Sequence, residues 1–288
     1  MNLQKSNDIL INFIIRKKPF IVMRFGIGPE TLLSYRYYQQ GLKSLISYKD
    51  MNTILTNCGI YCINNEQNNF SVYFDNVNKC IKNSDVLASF GGQLETIEDR
   101  YSKDYDIMRL DFKVLEPFYI LDEDIQPWTH SLVDKKVLII HPFVDSFQKQ
   151  LKNNFHIFED ESKKIFLDSQ EFVFYKAYQT HAFNHLHQNW LETFEIMCND
   201  IKEIDFDIAL LGCGGYGLPL CNYIKTELNK SAIYIGGGLQ LLFGVMGSRW
   251  ENFDYWKKVI SENNTQFIKP SGNEIIQNKN IIEKGCYW

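Results

Sequence analysis

The chain has 288 residues, 45% hydrophobic and 15% aromatic, enough to bury a sizeable core as one large α/β domain or two small lobes. Its formal net charge is −5 and its pI about 5.7. Chains that live on nucleic acid usually carry a basic face, so this balance argues against a nucleic-acid partner while leaving room for a basic pocket around one phosphorylated ligand.

In chain order, residues 1 to 25 alternate apolar stretches with charge and offer no small-residue cleavage site, so they do not read as a signal peptide. No run in the chain reaches the roughly 18 apolar residues of a membrane span. A soluble, cytoplasmic protein is expected, with peripheral membrane contact left open. PFIVMRF, 19 to 25, reads as a first buried strand. GIGPE follows, then an amphipathic helix marked by Leu32, Tyr35, Tyr38, Leu42 and Leu45. Pro29 suits the first turn of that helix and Gly28 its cap. TILT before Asn57, DVLASF before Gly91-Gly92, and VLIIHPF at 137 to 143 read as further strands, as do DIALLG at 207 to 212 and AIYIGG at 232 to 237. The polar stretch LDEDIQPWTHSLVDKK, 121 to 136, is the best internal junction of an otherwise single domain, between an N-terminal half and a glycine-loop C-terminal half.

Strands spaced by room for one helix imply an α/β fold, a Rossmann-like parallel sheet with helices on both faces. Ligands of such sheets bind beyond the carboxyl ends of the strands. The candidate positions are therefore Arg24 to Glu30, Asn57, His141 to Ser146, Gly212 to Gly217, and Gly236 to Gln240.

DIALLG-CGGYG-LPLCNYIKTELNK-SAIYIGGG has the length of half a dinucleotide fold, and Gly212, Gly214 and Gly217 match G-x-G-x-x-G. Gly admits close backbone approach, and the amides of the following helix start can face an anion. A nicotinamide cofactor also needs an acidic residue at the end of the next strand. Here that strand ends in Tyr234, Ile235, Gly236, Gly237 and Gly238, a second glycine loop. Two such loops favour an anionic ligand between them over NAD. Tyr216, Gln240 and Arg249 stand nearby as further contacts, Arg249 as a fixed cation able to grip phosphate. Arg24 and the loop after it, with Gly26 and Gly28, form another anion site by the same reasoning; a buried carboxylate is the alternative partner of Arg24.

The seven cysteines include no C-x-x-C pair and are odd in number, which reads as reduced, mostly buried thiols. Cys58 and Cys62 lack the second pair that a metal site needs. His181, His185 and His187 cluster in HAFNHLH; the first two, four apart, share a face if this stretch is helical, and a metal there would need a ligand such as Glu171 or Glu192. Tyr178, Phe183, Trp190 and Phe194 suit either the core or the wall of a sugar site. The terminal Tyr287 and Trp288 are expected to dock on the body as a structural tail, closure of Lys269, Ser271 and Glu283 over the ligand being the alternative.

RFGIGPE, NCGIY, PWT, VLIIHPFVDSF, FDIALLGCGGYGLPL, IYIGGGLQLLFGVMGSRW and GCYW, in this order, together resemble the GT-D-type glycosyltransferases and their relatives in polysaccharide assembly. The resemblance spans most of the chain. It implies transfer of a sugar from a UDP- or GDP-linked donor to a hydroxyl of a glycan acceptor. In the family the N-terminal loop reads R-F-G-D-G-E, its Asp and Glu associated with a metal and the donor diphosphate. Arg24, Phe25, Gly26 and Gly28 match; Ile27 replaces the Asp, and Pro29 displaces Glu30 by one position. The expectation is a reaction with no required cofactor and no protein metal site, the diphosphate met by amides and by Arg24 or Arg249; Mn²⁺ or Mg²⁺ is the alternative. Asn57 and Ser146 are expected at the substrate. The proton acceptor is sought first in Glu30, then Asp145, then His141. An NAD(P)-dependent oxidoreductase and a non-catalytic nucleotide- or glycan-binding protein are the competing readings.

Overall fold

The computed structural model describes residues 2–16, 18–26, 28–40, 52–62, 68–160 and 162–288. Seven strands form one parallel sheet: β1 (Ile21–Met23), β2 (Val86–Ser89), β3 (Met108–Asp111), β4 (Lys136–His141), β5 (Glu171–Lys176), β6 (Ile208–Leu211) and β7 (Ser231–Tyr234). Their spatial order is β3-β2-β1-β7-β6-β4-β5, all pairs parallel. The chain is an α/β protein with a Rossmann-like sheet.

The central strands are uniformly apolar because both of their faces are covered. Alternate residues feed two cores. Val22, Val137, Ile139, Leu210 and Ile233 point to one, where the helix Leu3–Ile15 and Trp128, Phe147 and Trp256 pack. Met23, Leu138, Ile140, Leu211 and Ala232 point to the other, packed by Phe74, Trp190, Met197 and Leu220 from the helices Asn68–Asn83, Trp190–Lys202 and Gly217–Thr226.

The edge strands were missing from the sequence reading. MRLD of β3 is short and half polar, and EFVFYK of β5 is only half-buried. TILT, by contrast, is not a strand. Residues Ile54–Cys58 form one wide helical turn, closed by Gly59 in the left-handed region at φ 70°, whose amide bonds Ile54 O. A short apolar run does not by itself separate helix from strand. The helix after the first loop spans Pro29–Gln40; Leu42 and Leu45 lie outside the described residues. Within 121 to 136, the side chain of Asn7 accepts from Trp128 N (2.8 Å) and donates to Gln126 O (2.9 Å), pinning the stretch to the first helix. Among the described residues, no helix is long and apolar enough to cross a membrane.

Candidate active site

The chain leaves β4 toward β5 and leaves β6 toward β7, so the connections diverge at adjacent strands. Such a divergence opens a crevice at the carboxyl edge of a parallel sheet. A cavity of about 630 Å³ lies there, lined by Arg24 at the end of β1, His141 at the end of β4, Gly212 after β6 and Gly236 after β7. Its size is that of a small-molecule site, ~300–1,000 Å³. Of the residues expected from sequence, Arg24, Gly26, Gly28, Glu30, Asn57, His141, Gly212, Gly214, Gly237, Gln240 and Arg249 all line it.

Arg24 is the cation of the cavity wall. Its guanidinium lies against Gly236, where a Cβ would collide with it and where φ is +73°. Glycine is needed there on both counts. The rings of Phe90 and Tyr234 flank the guanidinium, 5.3 and 6.0 Å from its carbon. Among the described residues its Nε is buried without a hydrogen-bond partner. Gln240 is fully buried, and its Nε2 donates to Val245 O and Tyr287 O, both at 3.2 Å. That fixes the amide so that Oε1, which is buried and also unpartnered among the described residues, remains as the acceptor. A buried donor or acceptor left unmade costs about 1–3 kcal/mol. An unpaired donor and an unpaired acceptor in one cavity wall point to a ligand that supplies both complements.

Arg249, at the cavity rim, is already engaged. It pairs with Glu283, donates to Cys286 Sγ at 3.1 Å and sits over the Tyr287 ring at 4.6 Å. The terminal segment is docked as expected: Trp288 is 7% exposed and its Nε1 donates to Glu274 O at 2.9 Å. Tyr287, Trp288 and Glu283 line the cavity. Lys269 instead pairs with Glu251, and Ser271 caps the short turn Gly272–Glu274.

The carboxyl of Glu30 folds back over Gly26 and Gly28, where any Cβ would strike it. Burial raises its pKa, and Glu283 adds to the rise; its own backbone amide, Arg24 and the Cys58 thiol oppose it. His141 is 3% exposed, and burial pushes its pKa down to about 3, so it is neutral. Its Nδ1 accepts from Phe143 N at 3.0 Å, and Phe147 packs on the ring at 4.7 Å.

Other expected positions lie off the cavity wall, each for a visible reason. Asp145 is an exposed carboxylate paired with Lys176. Ser146 is buried beneath Glu274, which takes its amide at 2.9 Å and its hydroxyl. Tyr216 is core: its ring stacks on Trp190 at 5.6 Å and its hydroxyl bonds Thr180 Oγ1 at 2.8 Å. Gly217 lies under the ring of Tyr234, whose hydroxyl donates to Gly214 O at 3.3 Å. The start of the helix Gly217–Thr226 is thereby covered by a side chain rather than open to an anion. Gly238 faces Glu116.

The segment 177 to 189 is not helical; Ala182 and Phe183 have φ of 51° and 66°. Its histidines diverge. His185 stacks on Tyr61 at 4.3 Å, and His187 Nδ1 meets Thr193 Oγ1 at 2.9 Å. His181 alone lines the cavity, against Gly214, with burial lowering its pKa to about 4. Trp190 and Phe194 stack on each other at 5.2 Å as core; Tyr178 lines the cavity and Phe183 is exposed. Among the described residues, no three His, Cys, Asp or Glu side chains gather to hold a metal. At the position of the family's Asp stands Ile27, which has no donor atom and lies outside the described residues.

Sequence reasoning missed Glu116, Tyr119, Phe90 and Phe112, all of which line the cavity. Glu116 precedes Pro117 at a helix start, so from sequence it reads as a residue of a helix end and nothing more. The fold and this cavity define an α/β protein with a cavity at the carboxyl edge of its sheet. Compared with known proteins, the chain matches no family model, no curated protein and no solved structure.

Proposed function

We propose that the chain is a glycosyltransferase that moves a sugar from a UDP- or GDP-linked donor to a hydroxyl of a glycan acceptor, without a resident metal. The observation that carries this reading is that Arg24 Nε and Gln240 Oε1, both without a hydrogen-bond partner among the described residues, belong to residues lining one cavity. A nucleotide sugar offers both complements: phosphate oxygens for the guanidinium, and a sugar hydroxyl or base N–H for the amide oxygen. The surrounding Phe90, Tyr178, Tyr234 and Tyr287 supply flat apolar faces for a base or a pyranose ring.

In the proposed reaction the acceptor oxygen attacks the anomeric carbon as the bond from that carbon to the diphosphate oxygen breaks. The electron pair leaves on the phosphate. Arg24 stabilises that charge from the cavity wall, where the glycine turns after β6 and β7 also lie. Tyr234 over the start of the helix Gly217–Thr226 counts against the nicotinamide reading, which places a pyrophosphate there.

A thermal-shift panel of UDP, GDP, CMP, ADP and NAD, each with EDTA and with Mn²⁺, tests the proposal. A ligand at 100 times its Kd stabilises the fold by about 2.7 kcal/mol. A shift with UDP or GDP that survives EDTA is expected. A shift with NAD alone refutes transfer from a nucleotide sugar. A shift with UDP or GDP but no release of nucleotide from any nucleotide sugar identifies a binding protein instead.

A further inference from the structure

We propose that Glu116, not Glu30, is the carboxylate that takes the proton from the acceptor hydroxyl. The inference rests on the glycosyl-transfer reading and names its catalytic residue. It stands on which carboxylates of the cavity are already engaged. Glu30 is turned back on its own loop, facing its own amide and the Cys58 thiol. Glu283 is paired with Arg249. Glu274 does not line the cavity and holds Ser146 and the amide of Ser271. Asp145 is outside the cavity on Lys176. Of the cavity's histidines, His141 has its Nδ1 taken by the Phe143 amide.

Glu116 differs from all of these. It stands at the start of the helix Pro117–Asp122, where a carboxylate ordinarily caps the free amides, yet its side chain makes no capping bond. Among the described residues no hydrogen bond reaches its carboxyl; Arg24 acts on it only as a nearby charge. The ionisable groups that face it are Arg24 from the end of β1, Tyr119 on its own helix and Tyr255 from the helix Asp254–Asn263. A Cβ at Gly238 would collide with its Oε1, so the third glycine of the GGG turn is what admits the carboxylate. Gly236 of the same turn admits Arg24. One glycine turn thus brings a cation and an unengaged carboxylate to the same cavity, the pair that leaving-group stabilisation and deprotonation require. Burial raises the Glu116 pKa from the ordinary 4.5 to about 6, nearer to the working pH of a general base. In the step, the acceptor O–H bond breaks as its oxygen bonds the anomeric carbon. The proton goes to Glu116 Oε, and the sugar–phosphate bond gives its electron pair to the diphosphate.

The test compares wild type, Glu116→Gln, Glu30→Gln and Gly238→Ala by release of UDP or GDP from UDP-glucose, UDP-galactose, UDP-N-acetylglucosamine and GDP-mannose, with UDP binding by calorimetry. Glu116→Gln is expected to lower kcat by about 10²–10⁴-fold while UDP binds within about threefold of wild type. The wild-type rate should rise with pH through about 6, and the residual Glu116→Gln rate should lack that ionisation. Gly238→Ala, which displaces the carboxylate without removing it, should lower kcat more than it changes KM. A Glu116→Gln rate within about threefold of wild type, or the large loss appearing in Glu30→Gln instead, overturns the assignment while transfer stands. No nucleotide release by wild type from any donor overturns transfer itself, and the assignment with it.

Discussion

Glu116→Gln should make the protein more stable at neutral pH than the native carboxylate does. In the fold, burial raises the Glu116 pKa from 4.5 to about 6, with Arg24 offsetting part of the rise. Each pKa unit corresponds to about 1.36 kcal/mol, so ionising Glu116 inside the fold costs roughly 2 kcal/mol relative to the unfolded chain. The folded pKa is the higher one. The neutral acid's contribution to stability is therefore complete below pH 4.5, and it is lost as pH rises through about 6. Gln carries no charge at any of these pH values. Urea unfolding of wild type and Glu116→Gln at intervals from pH 4 to 7.5 should show a gap between them that is smallest at the acid end. The gap should widen by about 2 kcal/mol in the variant's favour and level off above pH 6.5. A gap that stays constant with pH, or that widens in favour of wild type, would mean the carboxylate is paired in the fold. That result would refute the account of the site.

Three further outcomes follow from the same geometry. Arg24→Gln should weaken UDP binding by about 10–100-fold, the worth of a charge-assisted hydrogen bond, measured by calorimetry; unchanged affinity removes Arg24 from the ligand. Gly217→Ala should cost about 1–3 kcal/mol through the clash with Tyr234, read from thermal unfolding, and adding Tyr234→Ala should recover much of it. Tyr216→Phe should lose about 1–2 kcal/mol with its buried bond to Thr180 and leave UDP affinity unchanged, since the ring is core.

The apolar runs that end in Arg24, His141, Gly212 and Gly236 were readable as central strands because a strand buried on both faces has no room for polar residues. The carboxyl-edge rule then pointed to the strand ends that line the cavity. The edge strands β3 and β5 escaped because an edge strand is covered on one side only and keeps polar residues. TILT was misread because four apolar and β-branched residues suit either a strand or a helical turn; Gly59, just beyond, closed the turn.

Sequence alone determined the α/β class and the parallel sheet, and it pointed to the glycine-rich strand ends where the cavity lies, since each of these follows from local pattern. The tertiary structure decided what each glycine is for. Gly236 and Gly238 make room for Arg24 and Glu116, and Gly217 for Tyr234, partners that lie far away in the chain and are invisible to any motif. It also decided which polar groups are spent: Asp145, Ser146 and Tyr216 on packing and pairing, while Arg24 Nε and Gln240 Oε1 have no hydrogen-bond partner among the described residues. Whether a polar atom is free for a ligand depends on every neighbour within hydrogen-bond reach. Only the folded chain sets those neighbours.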